Sequence, residues 1–470
     1  MHLTIQDIAA ACGGQIISGD MSTEAVVTSI CIDTRVLQPG ALFVALKGEH
    51  VDGHDFVGDA LTKGAVCALV EKVECGQGFP LIYVNSTRRA LMDIAAYYRR
   101  IHNIKVVAIT GSNGKTSTKE MIAHVLARKY KTKKTLENFN NDIGLPLSIF
   151  QLAQGDEVLV LEMGMNHGGE IHELSLVGAP DIAVITNIGE SHIENFENQE
   201  GILHAKLEIL DGLAPNGTAI FNGDDTFLTG PIARAKVAPF RQLYPNAAQI
   251  KSMDEKNIEG GPAHFEINGQ DIYVNMSQPG AHMVMNALMA ATVGIEMGLT
   301  PDEIAQGFDD IVPPGKRLGV MDIDGMTVIN DVYNSSPASV QAAIKIVENQ
   351  DGRKVCILGD MNELGKISEI RHREVGAFAA AAGVNLLVTI GKRGWWMNEG
   401  FYEAMQDATV AYGKSRTSAA SDTPPQMALH FETVADFMKE WRSILRTGDV
   451  VLVKASRFMA FEDIVSGLSC

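Results

Sequence analysis

The sequence predicts an α/β protein built from three domains, each organised around its own sheet. The chain has 470 residues, more than one hydrophobic core usually serves. From Lys105 onward, short apolar strand-like runs alternate with helical segments, a pattern typical of parallel sheets covered by helices. The pattern breaks just before Lys105 and again at residues 311–315, where IVPPG brings two prolines and a glycine together.

The composition is that of a globular, net acidic protein. Hydrophobic residues make up 46% and charged residues 20% of the chain. The net charge is -18, and the absence of a long basic run disfavours a nucleic-acid-binding surface. No apolar run approaches the ~18 to 20 residues of a membrane-spanning helix. Six scattered cysteines without a CxxC pair, and an amino terminus unlike a signal peptide, favour a reducing cytoplasm.

Residues 1–102 are predicted to form a small α/β domain. Strand-like runs at Ala41–Leu46 and Leu81–Val84 are followed by a helical stretch from Thr87 to His102. The change of pattern at Lys105 sets the boundary with the next domain.

The central domain, residues 103–312, carries the strongest local signal. The strand-like run KVVAIT leads into a glycine loop, residues 111–114, and then into a helix from about Lys115. Loop N–H groups and a helix amino terminus suit a phosphate, Lys115 can reach the terminal phosphates, and the Thr116 hydroxyl can bind Mg²⁺. The usual GxxxxGK motif would have a glycine where Ile109 stands. This signal alone leaves kinase, ATPase, ligase and non-catalytic nucleotide-binding module open.

Two further side chains are candidates at the same edge of the central sheet. Glu162 ends the run EVLVLE, beside the strand that leads into the glycine loop. Open parallel sheets bind ligands at the carboxyl ends of their strands, and Mg²⁺ prefers oxygen ligands. His192 follows the run DIAVITNIG and faces the same edge.

The carboxy-terminal domain, residues 313–470, is predicted to be Rossmann-like. The runs KVCILGD, LLVTIG and DVVLVKAS are short apolar strands separated by helical segments, which indicates an open parallel sheet. We place its start within the IVPPG break.

Several segments in the right order resemble the Mur ligase family. The phosphate loop of that family reads TGxNGKTS, which matches residues 110–117 and accounts for the missing early glycine. The further matching segments are Cys31–Val57, Glu137–Ile149, Leu161–Ile171, Thr186–Phe196, Asp331–Ser339 and Leu358–Gly365. The resemblance therefore extends over essentially the whole chain.

Within the family, the stretch ENFNNDIGLPLSI at Glu137–Ile149 is similar to the NxNNxIGxP stretch of the members that add a dipeptide. The resemblance implies an ADP-forming ligase that joins D-alanyl-D-alanine to UDP-N-acetylmuramoyl-tripeptide through an acyl phosphate. The alternative is another ligase of the family, either one adding the third amino acid or a folylpolyglutamate type. The DNPR-type diamino-acid motif is absent, and the third residue of the tripeptide, diaminopimelate or lysine, stays open. We expect a monomer that uses ATP and two Mg²⁺ ions.

The same resemblance implies a role for individual residues. The candidates for ATP binding are Gly111, Ser112, Asn113, Gly114, Lys115, Thr116, Ser117, Asn286, Arg317, Asp331 and Asn334. The candidate metal ligands are Thr116, Glu162, His192 and a carbamylated Lys206. The candidates for the UDP-linked substrate, received by the amino-terminal domain, are Thr34, Arg35, Lys47, Gly48, Asn138 and Asn141. The catalytic candidates are Lys115, Glu162, His192, Lys206 and Arg317.

The chain departs from the family pattern at two motifs. The family reads DxYNANP where this chain has Ser335 and Ser336 before the proline, and KGSR where this chain has Ala455. Lys454, Ser456 and Arg457 remain candidate contacts in the second motif.

Overall fold

The structure is a computed structural model that describes residues 1–17, 25–76, 80–243, 250–254, 256–309, 311, 316–412 and 426–469, with the side chains of residues 407–412 left out. In these ranges the chain forms three larger sheets and two small ones. The α/β class predicted from the sequence is confirmed.

The amino-terminal part is a small sheet covered by helices. Its strands are β1 (Leu3–Thr4), β2 (Gln15–Ile17), β3 (Val26–Val27), β4 (Ser29–Cys31), β5 (Ala41–Val44), β6 (Cys67–Val70) and β7 (Leu81–Tyr83). Its helices are α1 (Ile5–Cys12), α2 (Val57–Thr62) and α3 (Thr87–Ile101). The main sheet has the order β2-β7-β6-β5-β4 and is parallel except for β2. The expected strands and helix are present, each ending one or two residues early.

Helix α3 connects this part to the central sheet. Ser86 caps its amino terminus by accepting a hydrogen bond from the backbone of Arg89, and Leu91 and Ile94 are fully buried. The hydroxyl of Tyr98 donates to the carbonyl of Leu152 at 2.9 Å. The helix packs on elements of both parts, so the amino-terminal sheet is held against the central one.

The central sheet is parallel throughout. Its strands are β8 (Lys105–Thr110), β9 (Thr132–Lys134), β10 (Val158–Glu162), β11 (Ile182–Ile185), β12 (Thr218–Phe221) and β13 (Arg241–Leu243). Its helices are α4 (Lys115–Leu126), α5 (Gly144–Ile149), α6 (Glu170–Gly178), α7 (Gln199–Leu207) and α8 (Pro231–Val237). The order is β13-β12-β11-β8-β10-β9, so the chain proceeds to one side of β8 and then to the other. Such a reversal opens a crevice at the carboxyl ends of the strands.

An antiparallel sheet and two helices follow, and the sequence analysis did not predict this sheet. The strands are β14 (Ile250–Met253), β15 (Gly261–Ile267) and β16 (Gln270–Met276), and the helices are α9 (Ala281–Glu296) and α10 (Pro301–Asp309). Alternate residues of β15 and β16 are buried, as a sheet with one face on the core requires. Helix α10 can lie close to α4 because Gly307 of α10 has no side chain. A Cβ at this position would be 2.6 Å from Val125 Cα of α4.

The carboxy-terminal sheet is parallel except at one edge. Its strands are β17 (Gly319–Ile323), β18 (Met326–Asn330), β19 (Arg353–Gly359), β20 (Leu386–Ile390), β21 (Met427–Phe431) and β22 (Asp449–Lys454). Its helices are α11 (Pro337–Glu348), α12 (Ser368–Ala381), α13 (Gly394–Tyr412), α14 (Val434–Ile444) and α15 (Glu462–Leu468). The order is β17-β18-β22-β19-β20-β21, with β17 antiparallel to β18.

The predicted domain boundaries after residues 102 and 312 stay predictions. The second falls on residues 312–315, which lie outside the described residues. Within the described ranges, no helix is both long and apolar enough to cross a membrane.

Candidate active site

The glycine loop joins β8 to α4 in a conformation that needs its glycines. Gly111 has a φ of 148° and Gly114, the residue before α4, a φ of 81°. A Cβ on Gly111 would lie 1.8 Å from Thr186 Oγ1. Asn187, two residues beyond the end of β11, holds the loop. The Ser112 N–H donates to its carbonyl at 2.9 Å and the Asn113 N–H to its Oδ1 at 3.0 Å.

Lys115 and Thr116 begin α4 at this loop. Lys115 is half-buried, and its Nζ donates to the carbonyl of Gly111 at 2.8 Å. Burial lowers the pKa of Lys115, and the neighbouring Glu162 carboxylate opposes that shift. The Thr116 hydroxyl accepts a hydrogen bond from Arg317 Nη2 at 3.1 Å, while Ser117 is buried in the first turn.

Glu162 ends β10 with one carboxylate oxygen free of hydrogen bonds. The side chain is 2% exposed, and Oε1 accepts from Asn140 Nδ2 at 2.9 Å. Oε2 is buried without a hydrogen-bond partner, and the nearest ammonium, of Lys119, is 3.8 Å away. Buried carboxylate oxygens are rarely left unbonded, so Oε2 fits a hard cation such as Mg²⁺.

His192 and Lys206 lie at the same edge of the sheet. His192 has a φ of 65°, and its Nδ1 is 2.7 Å from Glu363 Oε2 of the carboxy-terminal part. The close approach of the imidazole lowers the pKa of Glu363. Lys206 on α7 is 1% exposed, and its pKa lies well below 10.5, first because of burial and then because of repulsion from Lys115.

The carboxy-terminal part contributes a basic and polar wall. The guanidinium of Arg317 lies 3.7 Å from the ring centre of Tyr333. Lys454 is 3% exposed; its Nζ contacts Asp331 Oδ2 at 2.5 Å and the carbonyl of Asn334 at 2.8 Å. Near the glycine loop, the Ser336 hydroxyl donates to Asn113 Oδ1 at 2.9 Å.

Two adjoining cavities, each about 550 Å³, open on these groups. One is lined by residues of the glycine loop together with Glu162, His192, Arg317, Asp331 and Lys454. The other extends from the same loop between α9 and β14, and is lined by Asn222, Asp224, Ile250, Met253, Met285 and Asn286. His282 lines both, and burial lowers its pKa to about 4. The first cavity suits phosphates and a carboxylate, and the second, which is more apolar, suits a flat ring.

The comparisons with known proteins agree over the whole chain. Three family models match it: "Mur ligase family, catalytic domain" at residues 26–110, "Mur ligase middle domain" at 109–294, and "Mur ligase, glutamate ligase domain" at 316–457. A Bacillus subtilis protein named UDP-N-acetylmuramoyl-tripeptide--D-alanyl-D-alanine ligase is 36% identical over 470 residues, covering 99% of this chain and 98% of its own. The chain belongs to the Mur ligase family.

Solved structures of other Mur ligases have the same fold. A crystal structure of MurF from Acinetobacter baumannii is 28% identical, covers 100% of this chain and 99% of its own, and superposes with a TM-score of 0.87. A MurF ligase from Thermotoga maritima, solved in complex with ADP, is 26% identical, covers 94% of this chain and 97% of its own, and gives a TM-score of 0.80.

In this Mur ligase, most candidates of the central and carboxy-terminal parts line the two cavities. Lys206 lines neither, but it lies near enough to Lys115 for the two charges to repel. The candidates of the amino-terminal part lie elsewhere. Asn138 and Asn141 line the first cavity, and Asn141 Oδ1 also accepts a hydrogen bond from the Gly144 N–H at 2.8 Å. The four candidates of the amino-terminal part line neither cavity: Thr34, Arg35, Lys47 and Gly48. Arg35 is exposed and paired with Asp33.

Several side chains of the site were not singled out from the sequence, and four of them lie directly beside a predicted residue. Asn140 holds Glu162, Lys119 lies beside it, Tyr333 stacks on Arg317, and Glu363 contacts His192. Asn140 stands between the two asparagines that were chosen, so the run NFNN contained the signal. A lysine one turn beyond a phosphate loop resembles a solvated helix lysine until its burial is known.

No group of three or more His, Cys, Asp or Glu side chains that could hold a metal ion occurs in the part of the chain that the structure describes. Mg²⁺ at phosphate sites takes one or two carboxylates and completes its shell with phosphate oxygens and water. Glu162 Oε2 and the Thr116 hydroxyl, whose residues both line the first cavity, offer such a partial set.

Proposed function

We propose that this Mur ligase joins D-alanyl-D-alanine to the terminal carboxylate of UDP-N-acetylmuramoyl-tripeptide, converting ATP to ADP and phosphate. One observation carries the proposal: Lys115 and Thr116 of the phosphate loop face Arg317 across one cavity, which Glu162 also lines. The name of the Bacillus subtilis relative, which matches nearly the whole chain, supports the choice of substrates.

The reaction has two steps. The tripeptide carboxylate attacks the γ-phosphorus of ATP, forming an acyl phosphate and releasing ADP. The amino group of D-alanyl-D-alanine then attacks the acyl carbon, phosphate leaves, the amine loses a proton, and the amide forms. Negative charge develops on the transferring phosphoryl oxygens, so cationic groups fixed around them lower the barrier. Lys115 and Arg317 are the cations at this position, and the N–H groups at the start of α4, beyond the two that bond Asn187, bind the phosphate chain.

Two Mg²⁺ ions form part of the proposal. Thr116 and Glu162 would hold one, and His192 and a carbamylated Lys206 the other. A carbamate forms when a neutral lysine amine adds CO₂ and loses a proton, and the lowered pKa of the buried Lys206 favours the neutral amine. Bound Mg²⁺ supplies further neutralisation of phosphoryl charge.

We further assign Asn286 to the adenine side of the nucleotide, and Asp331 and Asn334 to the ATP side of the carboxy-terminal part. Thr34, Arg35, Lys47 and Gly48 are assigned to the UDP-sugar, and Asn138 and Asn141 to the peptide part of the substrate. The domains span residues 1–102, 103–312 and 313–470. We also propose that the protein acts as a monomer and works in the cytoplasm, where its described cysteines stay reduced.

Amine-dependent ADP release tests this proposal. The purified protein is given ATP, Mg²⁺ and either the diaminopimelate or the lysine tripeptide, with D-alanyl-D-alanine, meso-diaminopimelate, lysine or glutamate as acceptor. We expect release only with D-alanyl-D-alanine, and its loss in Lys115→Ala. Release with a single amino acid would identify a different ligase of the family. Release that is independent of any amine would overturn the ligase proposal.

A further inference from the structure

Lys119 is a fully buried lysine that the proposed mechanism does not use. It lies one turn after Lys115 on α4 and is 0% exposed. An ammonium group out of water is destabilising unless partners surround it. Lys119 Nζ has three: the Thr135 carbonyl at 2.9 Å, the Glu137 carbonyl at 3.1 Å and Glu120 Oε1 at 3.3 Å.

Two of these contacts are hydrogen bonds, to the two carbonyls, and the third is an ion pair with Glu120. Glu162 Oε2 at 3.8 Å lies outside hydrogen-bond range and keeps its lone pairs. The charge of Lys119 nevertheless compensates the buried carboxylate. Asn140 holds the other oxygen, so the unbonded oxygen has a defined direction.

The same ammonium group also holds the backbone that carries Asn138, Asn140 and Asn141. This segment, residues 135–141, begins at the two carbonyls that Lys119 binds and forms part of the first cavity. Glu137 has a φ of 42°, in the left-handed region that residues other than glycine rarely adopt. The Thr135 hydroxyl additionally accepts from the Glu162 N–H at 3.0 Å.

We propose that Lys119 is a positioning residue that fixes the Glu162 carboxylate and segment 135–141 relative to each other. The proposal rests on the proposed function insofar as Glu162 lies on the ATP side and the segment on the tripeptide side of one reaction. Through these contacts, Lys119 aligns the terminal carboxylate of the tripeptide with the γ-phosphoryl group of ATP.

The first test separates positioning from stability by steady-state kinetics. Lys119→Met keeps the length of the side chain and removes its charge and donors. We expect the KM for the tripeptide to rise about tenfold, because segment 135–141 loses its anchor, and the KM for ATP to rise as well, because the Glu162 carboxylate loses its compensating charge. Lys134→Met is the matched control, because Lys134 pairs with Glu120 from the other side and contacts neither Glu162 nor the two carbonyls. A variant that is merely less stable, with both KM values unchanged, would overturn the proposal.

The second test needs no activity. Lys119→Met leaves the Glu162 charge buried with less compensation, so adding Glu162→Gln should make the double variant more stable towards urea than Lys119→Met alone. If Lys119→Met does not fold, recovery of folded protein in the double variant supports the proposal, and an unfolded double variant contradicts it. If the wild-type protein shows no ligase activity, the proposed function fails, while this stability comparison still decides whether Lys119 and Glu162 are coupled.

Discussion

At Tyr333, one aromatic ring contacts two guanidinium groups. Arg317 lies 3.7 Å and Arg457 5.1 Å from the ring centre. We expect Tyr333→Leu to lower kcat between about twofold and thirtyfold, since a cation–π contact contributes about 0.5 to 2 kcal/mol to the placement of Arg317. Tyr333→Phe keeps the aromatic face and is the control. Equal kcat values for the Leu and Phe variants would show that the ring does not position the arginine.

His282 predicts a pH dependence of stability. Its pKa is about 4 in the folded protein because burial disfavours the imidazolium, with Asp331 opposing and Lys454 reinforcing the shift. Between that value and the ordinary 6.5, the unfolded chain binds the proton more readily, so folded stability falls as the pH falls. We expect the wild-type protein to lose about 2 kcal/mol more than His282→Gln between about pH 7 and about pH 5. Urea unfolding at both pH values measures this difference, and parallel losses in the two proteins would refute it.

At the scale of elements, the turn from β8 to α4 is the feature most sensitive to added volume. A Cβ on Gly114 would lie 2.8 Å from Asn286 Oδ1, whereas Gly269, with a similar φ of 76°, has nothing within 4 Å. Both alanine substitutions strain the backbone by about 1 kcal/mol. We expect only Gly114→Ala to weaken ADP binding, by about tenfold or more, because it also displaces Asn286. Calorimetric titration of both variants measures this, and equal affinities would contradict it.

The sequence predicted the elements whose pattern is local. Apolar runs and glycines predict the strand, loop and helix around Lys115. They also predict the parallel strands of the central and carboxy-terminal sheets, and the structure confirms both. The sheet β14-β15-β16 was missed, although Asn268 and Gly269 between two alternating runs form a typical hairpin turn. Burial of Lys119 and the approach of Glu363 to His192 depend on residues distant in the chain, so no local pattern could predict them. The roles assigned to the site residues remain predictions.

At the scale of the whole molecule, the central and carboxy-terminal parts contact each other around the first cavity. Arg371 on α12 forms an ion pair with Glu190, which follows β11, and Glu363 contacts His192 nearby. We expect Arg371→Ala to lower kcat about two- to fivefold, because a partly exposed ion pair contributes up to about 1 kcal/mol to the contact between the central and carboxy-terminal parts. Small-angle X-ray scattering with ADP bound should show a larger radius of gyration for this variant.

Arg373→Ala is the matched control for that experiment. Arg373 is two residues away on the same helix, but its partners Glu369, Glu399 and Glu403 all belong to the carboxy-terminal part. Its loss should lower stability without changing kcat or the radius of gyration. A similar effect of both arginines would mean that α12, rather than the contact with Glu190, determines the rate.

The bond between Arg317 and Thr116 has a practical consequence for inhibitor discovery. Phosphate loops occur in many unrelated ATP-using proteins, so compounds that imitate the nucleotide are prone to poor selectivity. The Arg317 guanidinium meets the Thr116 hydroxyl in a seam between helix α4 of the central part and the residues just before β17 of the carboxy-terminal part. A small molecule bound in that seam would keep the arginine away from the transferring phosphoryl group while leaving the nucleotide bound. It would therefore act without competing against the cell's large supply of ATP.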